Sequence, residues 1–464
     1  MSDFDVVIQG GRVMDPESGL DAVRNVGVAG GVVRAISAET LHGRDAVDAG
    51  GLVVTAGFID LHSHGQDEES YEVQARDGVT TALELEAGVI DVDAWYAERD
   101  GKAAINYGAS SGHMAARKRV MHDSTELIIA GDAAYRPATE PELQEIKDLI
   151  ERGLEQGALA VGLGVQYTPG ASRWEILEVS RIAARHGATC HVHMRGMGHK
   201  EPLSSVDGLE EIIAASAITG APLHVVHISS SGLRAAPRLL QMIGEARSRG
   251  MDVTTECYPY DAALTALESA MFDEGWQEKL DIDYQDLEWT LTGERLTAST
   301  FSEFREIGGM VVLHMIPEES VVASVASPLT MIATDGWLKE GKGHPRTAGS
   351  LSRVLGRFVR ENGAMTLMDA LRKMSLMPAQ RLEGRTPATR NKGRVRVGAD
   401  ADLVMFDPEQ VIDRATYEAP TKPPEGIEHV LVHGEPVVRH GRLHEGATPA
   451  RPVRAPITPS SLSP

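Results

Sequence analysis

Short apolar runs punctuated by glycine open the chain: "FDVVIQGGRVMD", "RNVGVAGGVVRAIS" and "AVDAGGLVVTAG". Runs of this length and β-branched content predict strands, and the glycine pairs predict hairpin turns. The chain closes in the same way, with "VRVGADADLVMFDP" and "IEHVLVHGEPVVRHGRLHEG". The two ends predict one small β-sandwich domain assembled from residues 1–54 and 386–448. Between them the pattern changes. Runs such as "GVTTALELEAG", "GALAVGLGVQ", "TCHVHMR", "APLHVVHISSSG", "MDVTTECYPY", "GGMVVLHMI" and "SPLTMIATDG" alternate with longer stretches of helical period, such as "SRWEILEVSRIAARHG" and "LRAAPRLLQMIGEARSRG". This alternation predicts a parallel sheet, and about eight repeats predict an α/β fold, a (β/α)8 TIM-like barrel over residues 55–385. Residues 273–305 are polar and irregular and read as an insertion or lid. The Pro- and Ser-rich segment 449–464 predicts a disordered tail.

The chemistry sits at the ends of the predicted barrel strands. In "GFIDLHSHGQDEES" a strand-like run, Gly57 to Leu61, leads into His62 and His64. Alternate residues of a strand share a face, so the two imidazoles point the same way. His193 and His227 end two later runs, and Asp335 ends "MIATDG". One histidine at a strand end is more often a hydrogen-bonded structural residue. Several at successive strand ends converge on one barrel mouth, where the active sites of such folds lie. Imidazoles converging with a carboxylate suit zinc, and an open coordination position activates water. His191 shares the face of His193 but lies deeper and reads as structural. The spacing of His224 from His227 predicts that His224 faces the helices.

Composition narrows the classes. The chain has 464 residues, 42% hydrophobic and 24% charged, which suits a large globular protein. A net charge of −22 argues against nucleic acid and against docking on anionic membranes. Two cysteines, Cys190 and Cys257, exclude a disulfide scaffold and read as buried thiols. With no signal-like N-terminus and no long apolar run, a cytoplasmic enzyme acting on a small molecule is the expectation. A homo-oligomer remains open.

The chain resembles the amidohydrolase superfamily, which carries an HxH on the first barrel strand, single histidine ligands on the fifth and sixth, and an Asp on the eighth. It is similar in particular to the N-acyl-D-amino-acid deacylase (D-aminoacylase) branch. The segments "GFIDLHSH", "DGVTT", "GALAVGLGVQYTPG", "HMR", "YPY", "TDGW", "HPRTAGSLSRVLGRFVRENG", "MPAQRL" and "GADADLVMFDP" occur in that branch's order, from about residue 5 to residue 445. Two departures stand out. The branch binds metal through a Cys shortly after "GVTT"; here the stretch reads "ALELEAG". Glu84 and Glu86 have one parity, and Glu86, nearer the strand's C-terminal end, is the first choice as replacement ligand, with Glu84 next. The branch also has a Lys two residues after the sixth-strand His, which helps hold the substrate carboxylate; Ser229 stands there.

The resemblance implies metal ligands His62, His64, Glu86, His193 and His227, with Asp335 as the catalytic proton shuttle. It implies one or two zinc ions, and a carboxylate bridge in place of Cys would also admit Mn²⁺ or Fe²⁺. Arg195, His113, Tyr167, Tyr260 and Arg346 fall in segments expected to bind substrate, and Tyr258 in another that resembles the pocket. The implied activity is hydrolysis of the amide of an N-acylated small molecule, an N-acyl-D-amino acid among them, by metal-activated hydroxide. Opening of a cyclic amide, as in hydantoinases and dihydroorotases, or deamination of an amine are the alternatives on this scaffold.

Overall fold

The computed structural model describes residues 4–125 and 128–457. The two ends of the chain meet in one mixed nine-stranded sheet. Strands Glu435–Arg439, Ile427–Val432 and Leu403–Phe406 come from the C-terminal part, and Val53–Ala56, Phe4–Asp15, Leu20–Ala29 and Val32–Ser37 from the N-terminal part. Strand alternation divides their side chains between two cores. Val54, Leu403 and Met405 join Ile8 and Val26 in the sheet's own core. Val53, Val404 and Phe406 face the other way, into the large core shared with the barrel. The sheet is thereby anchored to the barrel by apolar burial, the dominant favourable contribution to folding.

One glycine pair departs from the hairpin reading. Phe4–Asp15 is a single strand, and its register on Leu20–Ala29 shifts between Ile8 and Gly11. Gly10, at φ +69°, takes the left-handed conformation that a bulge of this kind needs. Gly30 and Gly31 do make the expected turn, between Ala29 and Val32.

The barrel strands are β1 (Phe58–Asp60), β2 (Val79–Val89), β3 (Asn106–Gly112), β4 (Ala160–Gly164), β5 (Thr189–His193), β6 (Leu223–Val225), β7 (Val253–Cys257) and β8 (Thr330–Ile332). All neighbours in this eight-stranded sheet pair in parallel. The β1–β8 seam closes just past the strand ends. Ser63 bridges Gly336 in parallel. The buried Asp60 carboxylate accepts the Thr334 N–H at 3.1 Å and its hydroxyl at 2.5 Å. The ring is a closed (β/α)8 barrel apart from that short side-chain splice.

The "GGMVVLHMI" run is not a barrel strand. Met310–His314 pairs antiparallel with Ala262–Ala266 and Leu287–Trp289 in a separate three-stranded sheet. The insertion between β7 and β8 therefore begins before residue 273 and ends after 305, and it covers one side of the barrel mouth. The Pro-rich C-terminal segment also differs from expectation over residues 449–457. The Val453 N–H donates to Tyr107 O at 2.7 Å, Tyr96 Oη donates to Val453 O at 2.7 Å, and the Ala455 N–H donates to Gly157 O at 3.0 Å. Val453 and Ala455 are buried beside Leu83, Leu85 and Leu159. Residues 458–464 lie outside the described residues. No described helix is long and apolar enough to cross a membrane.

Candidate metal centre

His62 and His64 leave the end of β1 with their Nε2 atoms 3.1 Å apart. Their Nδ1 atoms are each fixed from behind by a carboxylate. His62 Nδ1 lies 2.6 Å from Glu256 Oε1, and His64 Nδ1 lies 2.7 Å from Glu84 Oε2. Such contacts set the tautomer that leaves Nε2 free as a donor atom. Glu84 is itself held by the Ala87 N–H at 3.0 Å.

Glu84 and Glu86 share the inward face of β2, as their parity requires. Their positions differ. Glu86 Oε2 lies 3.6 Å from His64 Nε2 and 3.9 Å from His62 Nε2, while Oε1 lies 3.2 Å from His193 Nδ1. One carboxylate thus stands between two groups of histidines. His193 ends β5, where Cys190 and Val192 pack outward into the helical core. The His227 ring is 4.4 Å from that of His193 and 5.4 Å from that of His62. Asp335 Oδ1 completes the cluster, 3.5 Å from His62 Nε2 and 3.4 Å from His64 Nε2. Three overlapping triads, each with donor atoms within 4.8 Å, can hold a cation: His62, His64 and Glu86; His62, His227 and Asp335; Glu86, His193 and His227.

His227 and Asp335 have positive φ, 30° and 50°. β6 stops at Val225, and the left-handed turn at His227 aims its ring inward although strand parity would not. His224 also faces the interior, with Nε2 3.0 Å from Glu256 Oε2 and Nδ1 2.7 Å from Thr254 Oγ1. The expectation that it faces the helices is thus corrected. His191 packs against His224 with ring centres 4.6 Å apart, deeper in the barrel, and burial pushes its pKa far down.

These groups polarise one another strongly. Burial lowers the pKa of His62, but the charges of Asp335 and Glu256 outweigh it and raise it to about 9. His64 rises well above its ordinary value, since Glu84 and Asp335 overcome the cost of burial. Burial alone would raise Glu86, yet His193 and its neighbours bring it to about 2. His227 falls to about 3 through burial and the proximity of His193. Asp335 stays ionised: Arg346 and His62 outweigh its burial. Arg346 Nη1 is 2.9 Å from Asp335 Oδ2, and the guanidinium lies 4.5 Å over the Tyr258 ring.

The same cavity is lined by Tyr167, Tyr258 and Arg346. Tyr167 packs edge-on to His193 at 4.9 Å, and its hydroxyl is 3.0 Å from Thr265 Oγ1. Three other sequence candidates lie elsewhere. His113 is buried at the start of the helix that follows β3, with Nε2 2.8 Å from Glu175, which also binds Arg117. Arg195 grips Glu211 through Nε at 3.0 Å and Nη2 at 3.1 Å and donates to the Pro169 and Ala171 carbonyls. Tyr260 packs under Arg353 and donates to Pro345 O at 3.4 Å. Glu256 went unnoticed in the sequence. Its signal was present in "VTTEC", where a carboxylate interrupts a buried strand on the face that Thr254 shares.

The amidohydrolase family model matches residues 45–438, and the chain belongs to that family. It is a metal-dependent C–N bond hydrolase of the D-aminoacylase-like kind. The chain is 30% identical to a D-aminoacylase of Alcaligenes xylosoxydans xylosoxydans, with 94% of each chain covered. It is 29% identical to an N-acyl-D-glutamate deacylase of the same organism, with 93% of each covered. The crystal structure of an N-acyl-D-glutamate deacylase from Bordetella bronchiseptica, complexed with zinc and a phosphonate inhibitor, superposes with a TM-score of 0.84 at 26% identity. It covers 97% of this chain and 100% of that one.

Proposed function

We propose that this chain hydrolyses the amide bond of an N-acyl-D-amino acid, using one or two divalent metals held by His62, His64, Glu86, His193 and His227. The carrying observation is Glu86, whose two oxygens face separate histidine groups at 3.6 and 3.2 Å. The donor set fits such a cation. The His62 and His64 Nε2 atoms converge at 3.1 Å, and buried His193 Nε2 has no hydrogen-bond partner among the described residues. Zinc suits imidazole and carboxylate donors, and Mn²⁺ or Fe²⁺ also accept them. When bound, the metal supplies Lewis acidity toward water and the scissile carbonyl.

The chain's own groups do the rest. Asp335, kept ionised by Arg346, accepts the proton of the attacking water and returns it to the leaving nitrogen. Tyr258 Oη, buried at the cavity wall and unpartnered among the described residues, donates to the oxygen that develops charge. Arg346 is the cation that the described cavity wall offers a substrate carboxylate. Its Nε has no partner among the described residues, and Ser229 stands where the family resemblance implies a lysine.

The test is a panel of N-acetyl D- and L-amino acids, hydantoins and amines, assayed for free carboxylic acid and for ammonia. Acid release from the D-amides, lost in His62→Ala/His64→Ala along with the metal, is expected. Ammonia release, or opening of cyclic amides alone, contradicts the reading.

A further inference from the structure

Beyond the metal cluster one part of the cavity wall is apolar. Met114, Met197, Met271, Met310 and Met315 line it. They come from the helix after β3, the loop after β5 and three places in the β7–β8 insertion. Methionine has three rotatable bonds and a polarisable sulfur, so a wall of it moulds itself to flexible apolar ligands. The enclosed space is about 240 Å³, so a long alkyl chain is housed only where the wall opens outward. The cavity does not end at the methionines. Met310 and Trp337 are shared with an outer groove that passes Leu291 and Ile307, which are 62% and 69% exposed.

From these we infer that the acyl group of the substrate is a medium or long alkyl chain, seated on the methionine wall and leaving through the Met310–Trp337 opening toward Leu291 and Ile307. The inference rests on the amide-hydrolase reading and specifies which N-acylated molecules it concerns. An amino-acid side chain has a bounded length, whereas an acyl chain does not. Among the described lining residues Arg346 is the one arginine or lysine, so away from the metal cluster one carboxylate is provided for and an acidic side chain is not.

The experiment measures kcat/KM for acetyl, butyryl, octanoyl and dodecanoyl derivatives of one D-amino acid on the metal-loaded enzyme, below micelle formation. A fully buried methylene is worth about fourfold in affinity. We expect at least a tenfold rise from acetyl to octanoyl and a further rise to dodecanoyl. Leu291→Glu/Ile307→Glu, at exposed positions that do not threaten folding, is expected to abolish the second rise. A flat or falling series overturns the inference while leaving amide hydrolysis intact, as does a double variant that keeps the whole dodecanoyl advantage. If no member is cleaved, the hydrolase reading fails, and calorimetric binding of the same ligands still decides the pocket. Tighter octanoyl than acetyl binding supports the alkyl site, and equal binding refutes it.

Discussion

At the scale of the residue, the site separates atoms that face the centre from atoms that hold others in place. Glu86 stands between the histidine pairs, and Glu84 sits behind His64 at 2.7 Å. Glu86→Ala should therefore lose metal outright. Glu84→Ala and Glu256→Gln should keep the site but weaken it by about 10- to 100-fold, the usual cost of losing a partner behind a ligand. Competition with a chelator reads both, and equal losses in all three variants would contradict the division. Asp335→Asn preserves size but cannot take a proton, so kcat should fall by about 10² or more with metal content retained. Near-native kcat would move the proton transfer elsewhere. The convergence of His62, His64, His193 and His227 was legible because strand-end histidines in successive runs imply one mouth. Arg195, His113 and Tyr260 were misplaced because a sequence segment does not say which partner absorbs a side chain. Glu211, Glu175 and the Pro345 carbonyl do so here. Parity failed at His224 because the left-handed turn at His227 breaks the alternation on which it depends.

At the scale of the element, apolar alternation carried the barrel and the terminal sheet. It did not distinguish Met310–His314 from a barrel strand, since a buried antiparallel strand and a buried parallel one read alike. The C-terminal segment shows the opposite failure, a polar composition that hides two buried side chains. Val453 and Ala455 pack beside Leu83 and Leu159, and backbone bonds to Tyr107 and Gly157 fix them. Deleting residues 449–464 should cost roughly 2–4 kcal/mol through lost apolar burial and hydrogen bonds. Denaturant unfolding of the truncated chain measures it, and an unchanged midpoint would show that the docked segment contributes nothing.

At the scale of the whole molecule, a closed barrel gathers anionic and imidazole groups that repel or bind protons until a cation arrives. In the metal-free protein, burial lowers the affinity of His62 for its proton, but Asp335 and Glu256 raise its pKa to about 9. Below that pH the ring carries a proton that a metal must displace. Metal affinity should thus rise with pH up to about 9 and fall as pH falls, with proton release visible as a buffer-dependent heat of binding. Affinity independent of pH between 6 and about 9 would contradict this coupling. The measurement that reaches the central claim most directly is stepwise metal return to chelator-stripped enzyme while amide hydrolysis of an N-acyl-D-amino acid is followed. The account predicts no turnover in the stripped protein and restoration in proportion to metal bound, with saturation at one or two equivalents. Full turnover by the stripped protein, or restoration in the Glu86→Ala variant equal to that of the native chain, would contradict it.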